Sequence, residues 1–114
     1  MVIKQGEIYW INLPEPKQSE PGFRRPCVVI QNDTFNRSRI RTTIVCTLTT
    51  NIKLANAPGN ILLAKGDGNL SRDSVANISQ ILTVNKTDLL PESKIGKLST
   101  AKIESIIAGL QIIF

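Results

Sequence analysis

The sequence contains no histidine and only two cysteines. The first absence removes the one side chain whose ordinary pKa lies near neutrality, and with it the usual acid/base residue of hydrolytic enzymes. No Ser-His-Asp or Cys-His arrangement can be assembled. Two lone cysteines are too few ligands for a zinc site. Cys27 and Cys46 each lie within apolar, strand-like runs, which reads as two buried free thiols in a reducing compartment. Neither phosphate-loop pattern, G-x-x-x-x-G-K-[ST] or G-x-G-x-x-G, occurs. The nine acids are scattered singly, so a two-metal carboxylate centre is not expected. No apolar run is long enough to cross a bilayer, and the start M-V-I-K-Q-G-E has no apolar h-region. A cytoplasmic protein without metal or cofactor is expected.

What is present is basic. The 114 residues carry a formal net charge of +5. Five of the six arginines (Arg24, Arg25, Arg37, Arg39, Arg41) fall between positions 24 and 41, where Asp33 is the single acid. Such a run serves a solvated basic face as readily as a nucleic-acid contact. The length is that of one domain, 1–114, with a core modest enough to benefit from dimerisation.

Short apolar runs separated by Gly, Pro, Asn and Ser predict a mainly β fold. Strands are expected at Glu7–Leu13, at Cys27–Gln31 and at Thr42–Thr49, with weaker ones at Asn60–Ala64 and at Ser74–Val84, the last interrupted near Asn77. The segment Pro14–Arg25, with three prolines and Gly22, reads as a long loop. Asn32 or Asp33 can start a helical turn within the polar connection up to Arg41, and Lys65–Asn69 is a turn. In the third run Ile44, Cys46 and Leu48 are assigned to the core face. Thr43, Val45, Thr47 and Thr49 form the other, mostly hydroxyl-bearing face. Ser99 caps a terminal helix whose Ile103, Ile106, Ile107 and Leu110 make one apolar stripe. Mostly short strands plus one terminal helix suggest a small, strongly curved barrel.

The remaining chemical groups are Arg, Thr, Ser, Glu and backbone amides, which suit RNA cleavage. RNA carries its own nucleophile, the 2′-hydroxyl, so an enzyme need only align it and stabilise the charged phosphorane. A guanidinium fork donates two hydrogen bonds to phosphate oxygens. Arg25 precedes Pro26, is biased to extended backbone, and is expected to project from the barrel mouth.

A set of motifs spans nearly the whole chain. They are G-E-I-Y-W-I-N-L (Gly6 to Leu13), S-E-P-G-F-R-R-P (Ser19 to Pro26), V-V-I-Q-N-D-T-F-N-R (Val28 to Arg37), T-L-T-T (Thr47 to Thr50) and R-D-S-V (Arg72 to Val75). S-Q-I-L-T-V-N-K (Ser79 to Lys86) and K-I-G-K-L (Lys94 to Leu98) follow. In this order the sequence closely resembles the MazF/PemK toxin family. The resemblance implies a small SH3-like or PemK-like barrel with helices, a homodimer, and metal-independent cleavage of single-stranded RNA to 2′,3′-cyclic phosphate and 5′-hydroxyl ends. It places the catalytic arginine on Arg25 and its hydroxyl partner on Thr49. Ser19, Glu20, Arg24, Arg37 and Gln80 are carried over as RNA contacts, and an acidic, MazE-like antitoxin as the neutralising partner. A guanidinium is a poor base, so Glu20 is the candidate for activating the 2′-hydroxyl. The chain departs from many relatives at Leu82, where they have Arg, at Asn85, where they have Asp, and in a longer Ser38–Thr43 stretch. A CcdB-type gyrase poison and a non-catalytic RNA-binding SH3-like module are the competing readings, since fold alone does not separate them.

Overall fold

The computed structural model describes residues 2–13 and 23–114, with Phe23 by its backbone only. Among the described residues six strands form one antiparallel sheet: β1 (Glu7–Leu13), β2 (Phe23–Val29), β3 (Thr42–Thr49), β4 (Ile61–Leu63), β5 (Ser74–Asn85) and β6 (Lys94–Lys97). Their order across the sheet is β4-β5-β3-β2-β1-β6. A four-residue helix, α1 (Asp33–Asn36), links β2 to β3, and α2 (Thr100–Ile113) closes the chain. Both helices start as the capping chemistry dictates. The Asn32 side chain accepts from the Thr34 amide, and the Ser99 hydroxyl accepts from the Lys102 amide.

The sheet curls until its ends approach. The Asn69 side-chain amide, in the turn after β4, donates to the Ile95 carbonyl of β6 at 2.9 Å. Beside it Gly96 lies against the Gly68 carbonyl, where a Cβ would collide. The expectation of a small barrel with a terminal helix is therefore met as a curled half-barrel.

Both faces of the sheet are covered. Ile8, Val28, Cys46, Leu48, Leu63 and Ile78 pack inside the curl under Ile106 of α2. Tyr9, Ile11, Cys27, Val29, Val45 and Leu89 form a second cluster on the other face. This double coverage corrects the face assignment for β3. Thr43 and Val45 are fully buried, whereas Ile44 is exposed. Thr43 tolerates burial because its hydroxyl donates to the Asn36 side-chain oxygen at 2.9 Å. Near Asn77 β5 is not interrupted but bulged. Cys46 pairs with Ile81 and Leu48 with Ala76, which leaves residues 77–80 opposite Thr47. Asn60 fills the gap, its side-chain oxygen accepting from the Ile78 amide at 2.9 Å.

Two further corrections concern strand limits. β2 begins at Phe23, so Arg24 and Arg25 lie within a strand paired to Asn12 and Ile11 of β1, not in a loop at the barrel mouth. β6, a strand that the apolar pattern does not reveal, forms by pairing with β1.

Candidate active site at the fork between two strands

The geometry begins with a missing hydrogen bond. In β2 the Val29 carbonyl faces β1, since it accepts from the Gly6 amide. The Ile30 amide faces β3, since it donates to the Ile44 carbonyl at 2.9 Å. By alternation, the position where Pro26 lacks its N–H also faces β3. The paired register of β2 with β3 accordingly runs only from Val29↔Val45 to Cys27↔Thr47. Beyond it β2 pairs with β1 alone, through Phe23, while Leu48 and Thr49 of β3 pair with β5 alone. The two strands part as a fork.

Continued along the prongs, this register sets Arg25 across from Thr49. Alternation puts both side chains on the face of Cys27, Val29 and Val45. Arg25 is exposed and Thr49 half-buried. The Thr49 hydroxyl accepts from the Asn51 amide at 3.2 Å. That bond fixes the oxygen and leaves the hydroxyl proton to point away from it, toward an incoming acceptor.

Arg24, one residue along, points to the opposite face, where its guanidinium lies 5.0 Å from the centroid of the Trp10 ring. Below this pair a cleft of about 480 Å³ is lined by Trp10, Pro26, Thr50, Arg72, Lys94 and neighbours. Trp10, Arg72 and Lys94 were not singled out in the sequence as site residues. The sequence offers no alternation that marks Trp10 as outward, since Ile8, Tyr9, Trp10 and Ile11 form an unbroken apolar run. Gln80 is exposed, and its carbonyl accepts from the Thr47 hydroxyl at 3.4 Å, which places it two β3 positions from Thr49. Arg37 lies elsewhere, after α1 at the Thr42 end of β3, so roughly 23 Å of strand separates it from Thr49. Ser19 and Glu20 lie outside the described residues.

Other titratable groups belong to the scaffold. Burial alone would raise the carboxyl of Glu7, but hydrogen bonds from Lys94, the Lys4 amide and Tyr9 outweigh it and hold its pKa below the ordinary value. The Lys94 ammonium is 2.7 Å from the Glu7 carboxylate. Burial pushes the thiols of Cys27 and Cys46 up to about 12. Among the described residues no three His, Cys, Asp or Glu side chains gather as metal ligands would. No helix among them is long and apolar enough to cross a membrane.

Comparison with known proteins decides the family. A family model described as "PemK-like, MazF-like toxin of type II toxin-antitoxin system" matches residues 4–114. The chain belongs to the PemK/MazF toxin family. Its similarity to curated members is extensive. It is 42% identical over 111 residues to Endoribonuclease MazF2 of Mycobacterium bovis and equally to Endoribonuclease MazF6 of Mycobacterium tuberculosis, covering 97% of this chain and 96% of each relative. Solved structures share the fold at lower identity. The MazE–MazF structure from Deinococcus radiodurans (form II) superposes with a TM-score of 0.77 at 17% identity, over 99% of this chain and 96% of that one. A mycobacterial endoribonuclease in complex with its cognate antitoxin gives 0.72 at 19% identity, over 97% and 91%.

Proposed function

We propose that this member of the PemK/MazF family is an endoribonuclease toxin that cuts single-stranded RNA by 2′-hydroxyl attack, with Arg25 and Thr49 as its phosphate-binding pair. Family membership over residues 4–114 and the fork at Pro26 support this reading. The Arg25 guanidinium donates two hydrogen bonds to the non-bridging oxygens of the reacting phosphate. The Thr49 hydroxyl, oriented by the Asn51 amide, donates a third. These donors are aimed where negative charge grows in the phosphorane, so they act more strongly in the transition state than on bound RNA.

The bond changes are those of an internal transesterification. The 2′ oxygen bonds to phosphorus as the bond to the 5′ oxygen breaks. Glu20 takes the proton from the 2′-hydroxyl, and the departing 5′ oxygen receives one from Arg25 or from water. The products are a 2′,3′-cyclic phosphate and a 5′-hydroxyl end. Ser19, Arg24 and Gln80 hold the flanking nucleotides. The guanidinium of Arg24 on the Trp10 ring supplies a flat surface of the kind on which unpaired bases stack.

The activity is proposed to run in the cytoplasm as a homodimer, neutralised by an acidic, MazE-like antitoxin. The fork between Arg25 and Thr49 is the observation that carries the assignment. Incubating the purified protein with short single-stranded RNA in EDTA tests it. Cleavage is expected, whereas intact RNA accompanied by gyrase inhibition would replace this reading with that of a protein-binding poison.

A further inference from the structure

The Thr49 hydroxyl is aimed by a segment that the core does not hold. Its oxygen accepts from the Asn51 amide, and Asn51 opens the 3-10 stretch Ile52–Asn56. The Asn51 side chain accepts from the Lys53 amide at 3.3 Å, and its carbonyl accepts from the Leu54 amide at 3.1 Å. Asn51 therefore moves with that stretch. None of the stretch is buried, and Ile52 is 53% exposed. Short 3-10 hydrogen bonds are weakly aligned, so a piece of this kind with no buried side chain frays unless something else fastens it.

The fastening comes from Asn60, the half-buried residue just ahead of β4. Its side-chain amide donates to the Leu54 carbonyl at 2.9 Å. Its side-chain oxygen accepts from the Ile78 amide at 2.9 Å. Ile78 is fully buried and lies in the β5 bulge, where pairing with β3 lapses between Cys46 and Leu48. With no ladder partner there, its amide needs an acceptor from elsewhere. One carboxamide thus joins the least anchored segment to one of the best buried strands. Only a side chain with a donor and an acceptor on the same short group can do both. Gly59 secures the approach, since it abuts Gly109 of α2 and a Cβ on either would collide with the other's carbonyl oxygen.

We propose that Asn60 is a positioning residue for the cleavage reaction, holding the Thr49 hydroxyl on the phosphate through Leu54 and Asn51 without touching RNA itself. A donor to the phosphorane must keep its place within roughly 0.5 Å, so slack in the segment between Thr49 and Asn60 reaches the reaction through Thr49. The role in cleavage rests on the nuclease reading; the mechanical link from Asn60 to Thr49 does not.

A double-mutant cycle of Thr49→Ala with Asn60→Asp tests it in the full chain. Asp keeps an acceptor for the Ile78 amide but turns a second oxygen toward the Leu54 carbonyl, so it opens the link while leaving β5 satisfied. Single-turnover cleavage of a defined RNA is read at saturating RNA, where any effect of the added charge on RNA binding drops out. Asn60→Asp is expected to slow this rate by about tenfold. Thr49→Ala, costly in the wild type, should cost less than about twofold on top of Asn60→Asp. Ile3→Val thins the second cluster, to which none of Asn60's partners belongs, and should leave the Thr49→Ala penalty whole although it lowers the melting temperature. The three-bond Hα–Hβ coupling of Thr49 should report one χ1 rotamer in the wild type and an average in Asn60→Asp. Cleavage at the wild-type rate by Asn60→Asp overturns the proposal, and so does a full Thr49→Ala penalty in its background. If the wild type cuts nothing while the Thr49 coupling still responds to Asn60, the nuclease reading fails and the link stands. If neither rate nor coupling responds, the link fails too.

Discussion

Arg25 and Thr49 stand on the two prongs of a fork that opens where β2 and β3 part at Pro26. The proline's absent N–H is turned toward β3, so a local lack of hydrogen bonding sets the separation of the two side chains. Strands still paired at this point would draw the two backbones together and leave less room for a phosphate between Arg25 and Thr49.

Replacing Arg25 by Ala should lower cleavage by about a thousandfold or more, since it removes a charged, two-pronged donor from the phosphorane. Lys at this position keeps the charge without the planar fork and should recover only part of the loss. Single-turnover cleavage of a defined RNA measures both. Arg25 is exposed, so the melting temperature should hold.

Thr49→Ala should cost roughly ten- to a hundredfold in the same assay, and about 0.5–1.5 kcal/mol of stability as the Asn51 amide loses its acceptor. Thr49→Ser retains the hydroxyl and should remain close to wild type. Equal losses in the Ala and Ser variants would show that the methyl group, not the hydroxyl, is what counts.

How far the sequence announces this arrangement varies by element. β1 and β3 are legible to the residue, because Gly6 and Pro14 bound a mostly apolar run in the first and Arg41 precedes an unbroken β-forming run in the second. The cap at Ser99 and the stripe through Ile106 equally mark α2. β6 is not legible. Lys94, Ile95, Gly96 and Lys97 have no apolar alternation, and the strand exists because β1 offers a free edge and Gly96 admits the Gly68 backbone. The start of β2 is misread for a related reason. Pro26 suggests an entrance, yet its missing donor harms only the β3 side, and pairing with β1 continues through Phe23. Residue types pointed to Arg25 and Thr49, but their opposition depends on register, which a single strand does not encode. Arg37 shares composition with Arg24 and Arg25 but not position, since α1 carries it to the far end of the sheet.

Glu7 gives a pH-dependent prediction. Its folded pKa lies below its ordinary value of 4.5, so its contribution is complete above that value and fades as pH falls through the lowered folded one. Glu7→Gln should destabilise by about 1–2 kcal/mol at neutral pH, a figure kept small because Lys94 is partly in water. Melting curves of wild type and variant should converge as pH drops below 4.5. A gap that widens on acidification would reverse the assigned sign.

Cys27 and Cys46 should ignore iodoacetamide at pH 8 in the native protein. Both are buried, and thiols raised to about 12 present almost no thiolate. Labelling should follow global unfolding in denaturant. Rapid modification of either thiol in the folded state would contradict the packing described for β2 and β3.

The most direct measurement is the chemistry of the ends left on an unpaired transcript by the pure protein in EDTA. Attack by the ribose hydroxyl predicts 2′,3′-cyclic phosphates and 5′-hydroxyls, formed by wild type and all but lost in Arg25→Ala. Ends bearing 3′-hydroxyl and 5′-phosphate, or a transcript left whole by folded, uninhibited protein, would contradict it.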